Sequence, residues 1–257
     1  MARVAEAKLG TSATDAPIGN TVTAAACFRV LKERRLLGVR MAPQVKGNYE
    51  RLVSDEGTSF DAFYRIYAES MPTREQKPRS EIRAMVKRSD YRFVLAKRQS
   101  VIIGFSVLFV PPEESFCLLE YMAIDTVYRN AGAGAELFRH CVKDVLSEQG
   151  DITALLEVDS DREECADRAI RRRRQDFYKR LGCSRIDGLS YLLPLPGEGP
   201  PPQMDLMVHS SSHPLVIRRP ELEHWLKVVY QRVYNCSTHD PRIAQMMESV
   251  ADPVKLV

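Results

Sequence analysis

The sequence predicts a mixed α/β domain, and three observations carry that prediction. Apolar, strand-like residues fill 92–97 and 101–110 around the polar turn Arg98, Gln99 and Ser100, an antiparallel pair. Leu137, Phe138, Cys141, Val142, Val145 and Leu146 recur with helical spacing after a strand-like run at Phe116–Ile124. A further buried-strand pattern at 152–158 follows that helix, so strand, helix and strand come in succession. The other elements fall around these in order. Residues 49–53 read as a first strand. Thr58 to Asp61 open a helix with Phe63, Ile66 and Tyr67 on one face, and Met71-Pro72 ends it. A second helix spans 79–88 with Ile82, Met85 and Val86. Pro111 to Glu114 turn the chain into the 116–124 strand, and a loop at 125–134 feeds the striped helix, which runs to about Gln149. Residues 159–179 are highly charged and helical near their end. Leu181-Gly182 stops them, and a last strand pair follows within 185–193.

Five of the fifteen prolines fall between 194 and 202, which marks a boundary or stiff spacer. Beyond it come one more strand at 204–209 and helices at 220–234 and 240–250. Leu222, Trp225, Leu226, Val229 and Val233 form an apolar face on the first helix, which has to pack on the main domain or on a partner chain. The expected organisation is an arm at 1–47, a main domain at 48–195, a linker at 196–203 and a C-terminal strand with a helical extension at 204–257. Within the arm, 1–25 is small and polar, and 26–40 is basic enough and apolar enough for a short helix.

Composition excludes several classes. The 257 residues are 44% hydrophobic, enough to fill a core, and carry a formal charge of only +3, which gives no reason to expect a nucleic-acid partner. No run approaches the roughly 20 apolar residues of a membrane span. Six dispersed cysteines form no CxxC and no Cys–His pair at zinc spacing, and the five histidines share no metal spacing, so no metal is expected. Reduced thiols and an N-terminus without an apolar signal core lead to a cytoplasmic expectation.

The chemistry is concentrated where the 116–124 strand runs into Arg129-x-x-Gly132-x-Gly134 and then directly into the striped helix. Glycines let backbone approach a ligand, and the free amides and dipole of a helix N-terminus favour an anion, so phosphate or pyrophosphate is the natural guest. Leu137 breaks the six-residue dinucleotide fingerprint, and no Gly-Lys-Ser/Thr follows to make a P-loop.

This segment resembles the acyl-CoA pyrophosphate motif of the GCN5-related N-acetyltransferase (GNAT) superfamily. The order of elements from 49 to 195 is similar too, with Glu-Ser-Met-Pro at 69–72, Leu-Leu-Glu-Val at 155–158 and Phe-Tyr-Lys-Arg-Leu-Gly-Cys at 177–183, where Cys183 stands at a usual Phe. The resemblance implies a GNAT-like fold, a central, mostly antiparallel mixed sheet flanked by helices. It also implies acetyl-CoA or another acyl-CoA as co-substrate. Backbone of Met122, Ala123 and Ile124 would pair with the pantetheine arm, amides from Asn130 through Ala131, Gly132, Ala133 and Gly134 to Ala135 would hold the pyrophosphate, and Arg129 would shape the loop. Tyr178 stands at the family's acid position. Two glutamates stand at base positions: Glu157, and Glu120, which shares strand parity with Met122 and Ile124; a base acting through water is the third option. The sequence departs from the pattern in two ways. The 20 residues between Glu157 and Tyr178 exceed the spacing of compact members, and the Asn that normally follows the Glu-Val strand is missing. The surplus includes Arg171 to Arg174, read as an exposed helix face balanced by Asp161, Glu163, Glu164, Asp167 and Asp176.

The implied activity is direct transfer of an acetyl group from acetyl-CoA to a primary amine, on a small molecule or a peptide. The alternatives are transfer of a longer acyl chain or to a protein, and a non-catalytic module that binds acyl-CoA or dimerises. A homodimer through the C-terminal helices is the expected assembly.

Overall fold

The computed structural model describes residues 47–195, 203–210 and 215–257. The expected arm, Gly47 apart, and residues 196–202 of the linker lie outside the described residues. The strands are β1 (Asn48–Arg51), β2 (Tyr91–Arg98), β3 (Val101–Phe109), β4 (Phe116–Ile124), β5 (Thr153–Asp159), β6 (Ser184–Arg185), β7 (Tyr191–Leu192) and β8 (Gln203–His209). The helices are α1 (Thr58–Ser70), α2 (Arg79–Val86), α3 (Ala133–Gln149), α4 (Arg168–Lys179), α5 (Arg219–Arg232) and α6 (Pro241–Met247).

The strands form one sheet in the order β1-β2-β3-β4-β5-β8-β6, with β7 also on β8. Every pairing is antiparallel except β4 with β5, which the crossover helix α3 makes parallel. Helices cover both faces, which is why β2 and β3 are apolar almost throughout and do not alternate. Phe60, Phe63 and Tyr67 of α1, Ile82 of α2 and Trp225 and Val229 of α5 share one core with Phe105, Leu118 and Leu155. Leu137, Phe138 and Cys141 of α3 and Tyr178 of α4 share the other with Leu119, Ile124 and Leu156.

Two expectations change at the C-terminal side. The last strands do not pair with each other: β6 and β7 are two residues each and both lie against β8. And β8, placed by sequence in an extension beyond the linker, is an interior strand with β5 on one side. The reason lies in its residues, since Met204, Asp205, Leu206, Met207 and Val208 are all buried and a flank position would leave them wet. The apolar face of α5 is likewise used within the chain. Trp225 is 2% exposed, sits 5.6 Å from the Phe116 ring and donates its indole N–H to Ser115 Oγ at 3.3 Å. That burial removes the feature on which the expected dimer rested. No helix among the described residues is long and apolar enough to cross a membrane.

Candidate active site

Two irregularities in β4 open the sheet. Its pairing with β5 runs from Phe116↔Thr153 to Leu119↔Leu156 and stops, so among the described residues Glu120 to Ile124 have no strand on that side while β3 continues on the other. At the point of separation β4 carries a bulge: Leu119 pairs with Leu108 and Tyr121 with Val107, leaving Glu120 as the extra residue. The bulge corrects the expected parity. Glu120 points to the face of α1, α2 and α5, whereas Met122 and Ile124 belong to the core under α3.

The loop after β4 follows from its residues. Asp125 accepts the Val127 N–H at 3.2 Å and the Arg65 guanidinium at 2.8 Å, and Arg129 Nε donates to the Ile124 carbonyl at 2.8 Å. Asn130 and Gly132 both adopt left-handed backbone, with φ of 64° and 87°, a region that glycine enters freely and asparagine tolerates. The N–H groups of 130–134 find no backbone acceptor among the described residues, while those of Ala135 and Glu136 bond back to the Gly132 carbonyl at 3.0 and 3.1 Å. Ala135 lines the cavity, but its amide is thus already engaged.

Between the separated strands lies a cavity of about 660 Å³. Residues from both faces of the sheet line it. Met122, Ile124, Phe177 and Tyr178 wall it on the α3 and α4 side; Met71, Tyr121, Leu193, Leu195, Met204 and Tyr234 wall it on the α1 and α5 side.

Glu157 and Tyr178 stand on opposite sides of this passage. Glu157 follows Leu155 on the α1 and α5 face, half-buried, and accepts hydrogen bonds from the Tyr191 hydroxyl and, at 2.5 Å, from the Tyr234 hydroxyl. Burial pushes its pKa up to about 7 against the pull of those two donors. Glu120 also faces this side, but its side chain is only 2% exposed and both oxygens are shut from solvent with no hydrogen-bond partner among the described residues. Lys77 Nζ lies 3.4 Å away, and burial raises the Glu120 pKa while the ammonium opposes it. Tyr178 packs against Phe138 and Phe177, and burial pushes its phenol pKa well up, so the hydroxyl keeps its proton.

Helix α4 is tied to the sheet one turn before Tyr178. Gln175 Nε2 donates to the Asp159 carbonyl at 3.0 Å and to the fully buried Asp205 at 2.7 Å, and Arg162 meets the other Asp205 oxygen at 2.6 Å. The arginine run is largely paired: Arg171 with Asp167, Arg172 with Asp161 and Arg174 with Asp159. Glu75 lies on the cavity wall near Asp159 with its pKa raised, first by burial.

Comparison with known proteins fits this geometry. Residues 60–183 match the Acetyltransferase (GNAT) family. The chain carries a GNAT acetyltransferase domain. The family is one of acetyl-CoA-dependent N-acetyltransferases. Among solved structures, a protein from Bacteroides thetaiotaomicron assigned to the GNAT family superposes with a TM-score of 0.59 at 20% identity, over 74% of this chain and 99% of its own. One from Staphylococcus epidermidis, described as a probable acetyltransferase, gives 0.50 at 9%, over 65% and 99%. The ribosomal-protein-S18-alanine N-acetyltransferase of Escherichia coli gives 0.47 at 18%, over 66% and 98%. At their identities the first two speak for the fold alone. A search of curated protein sequences finds no match.

The GNAT domain fits an acyl-CoA at this site on its own chemistry. Amides without backbone acceptors gather at the N-terminus of α3, and the β4 edge from Glu120 to Ile124 is open for an added strand. A β-carbon at Gly134 would stand 3.6 Å from both Ile124 and Phe177, narrowing the passage between them. Sequence reasoning missed the partners of the carboxylates: Tyr191, Tyr234 and Lys77. A glutamate in an apolar strand announces that it needs polar partners, but with ten tyrosines in the chain no local signal says which ones. No cluster of three or more potential metal ligands occurs among the described residues.

Proposed function

We propose that this GNAT domain transfers an acetyl group from acetyl-CoA directly to a primary amine, with Glu157 as base and Tyr178 as acid. The passage through the sheet carries this reading, because it puts a carboxylate and a protonated phenol on opposite sides of one opening. The bound thioester would supply an activated acyl carbon and a thiolate leaving group. The amides of 130–134 would hold its pyrophosphate, and β4 backbone at Met122 to Ile124 would align its arm. Holding both reactants in one passage supplies much of the acceleration. Glu157 accepts a proton from the ammonium on the α1 and α5 side as nitrogen becomes the nucleophile. Tyr178 donates its hydroxyl proton to sulfur as the carbon–sulfur bond breaks, and the second proton lost by nitrogen restores it. Glu120 is left with a charge-compensating role, since its oxygens are sealed beside Lys77.

The test is calorimetric titration with acetyl-CoA of the native chain and of a Gly132→Asp, Gly134→Asp variant. Submicromolar to micromolar binding in the native protein and its loss in the folded variant is the expected result. Equal binding in both, or none in either, would leave the loop a mere turn. Tyr178→Phe is expected to keep acetyl-CoA affinity within about twofold and to lower kcat by about 10²-fold, at the lower end of acid catalysis. An unchanged kcat would remove Tyr178 from the reaction.

A further inference from the structure

We infer that the acceptor is a monoamine with an apolar body, an alkyl- or arylalkylamine, whose ammonium is met by Glu157; this rests on the acetyl-transfer reading above. The first support is the wall. On the α1 and α5 side the passage is bounded by Met71, Leu193, Leu195, Met204 and the rings of Tyr121 and Tyr234. The tyrosine hydroxyls are committed elsewhere, that of Tyr121 to the Glu75 carbonyl at 3.3 Å and that of Tyr234 to Glu157. An acceptor rich in hydroxyls would leave its own polar groups unpaired against these side chains.

The second support is the charge arrangement. Four carboxylates border the passage, and two of them are ion-paired, Glu120 with Lys77 at 3.4 Å and Asp159 with Arg174. The charges of Arg74, Arg171 and Arg174 act on a third, Glu75. Lys77 has no capacity left for Glu157, since it also lies 3.2 Å from Glu81 and donates to the Val233 carbonyl at 3.3 Å. Among the described residues Glu157 accepts its hydrogen bonds from neutral hydroxyls, so it is the carboxylate that an incoming cation would complete. One such group suits one ammonium. A polyamine or an aminoglycoside would bring further ammonium groups against methionine and leucine with no carboxylate to receive them.

The experiment follows thiol release from acetyl-CoA by the full chain across straight-chain amines from ethylamine to hexylamine, with 2-phenylethylamine, ethanolamine, putrescine, spermidine and a lysine-containing peptide beside them. The alkylamines share nearly the same basicity, so body length is the variable. The expected result is a rise in kcat/KM of about threefold to fivefold per methylene, with ethanolamine and the polycations far below hexylamine. A Leu195→Asp variant is expected to flatten the series. A flat or falling series in the native chain, or a preference for spermidine or the peptide, would overturn the inference while leaving acetyl transfer to amines standing. Acetyl-CoA bound but no amine of the panel acetylated would overturn both.

Discussion

Glu157→Gln is expected to lower kcat/KM by about 10²–10⁴-fold while acetyl-CoA still binds, because the substitution keeps the shape and removes the proton acceptor. The pH profile gives the sharper signature. A base works only when deprotonated, and burial sets the Glu157 pKa at about 7, above the ordinary carboxylate range. Activity of the native chain is therefore expected to rise with pH through an apparent value near 7 and then level. Below that value the carboxyl holds its own proton and cannot take one from the ammonium. In the Gln variant the residual activity is expected to lack this limb. A native profile with its limb near 4.5 would mean a solvated carboxylate and would contradict the burial. A Gln variant with full activity would transfer the role to a base acting through water.

Trp225→Ala is expected to destabilise the fold by about 3–5 kcal/mol, the range for deleting a fully buried tryptophan. Its ring fills the space between α5 and the start of β4, beside Phe116, and the substitution would also remove the hydrogen bond to Ser115. Urea midpoints of the two proteins measure the loss. The native midpoint is expected to be independent of protein concentration, because the Trp225 face is covered by its own chain. A midpoint that rises with concentration would restore the interface reading of α5. Activity is expected to suffer along with stability: Tyr234, two residues beyond α5, is a partner of Glu157.

The sequence made the central elements plain because each shows one period. The Leu137 to Leu146 stripe became α3 at Ala133–Gln149, and the run at 116–124 became β4 residue for residue. The glycine-rich loop was legible for the same local reason, since backbone geometry there depends on adjacent residues. What local pattern cannot carry is an insertion into a ladder. Nothing in the residues around Glu120 signals a bulge, yet one extra residue puts that side chain on the face opposite Met122. Distant pairing was equally hidden. A short, mostly apolar run after a proline-rich stretch reads the same at a flank as in the middle of a sheet, so the position of β8 depended on which edge β5 left open. The tyrosines of Glu157 come from β7 and from just beyond α5, separated from it by 34 and 77 positions.

The interior place of β8 has a consequence for the order in which the molecule matures. A nascent chain exposed as far as Leu195 already holds the α3 loop, both glutamates and Tyr178. It still lacks the strand whose Leu206 lies beside Glu157, and it lacks Tyr234. Until those arrive, the outer edge of β5 is unpaired and the carboxylate stands without one of its donors. The β5 edge and the donor set of Glu157 are therefore complete only once synthesis has passed Tyr234, and a chain stopped at Leu195 lacks both.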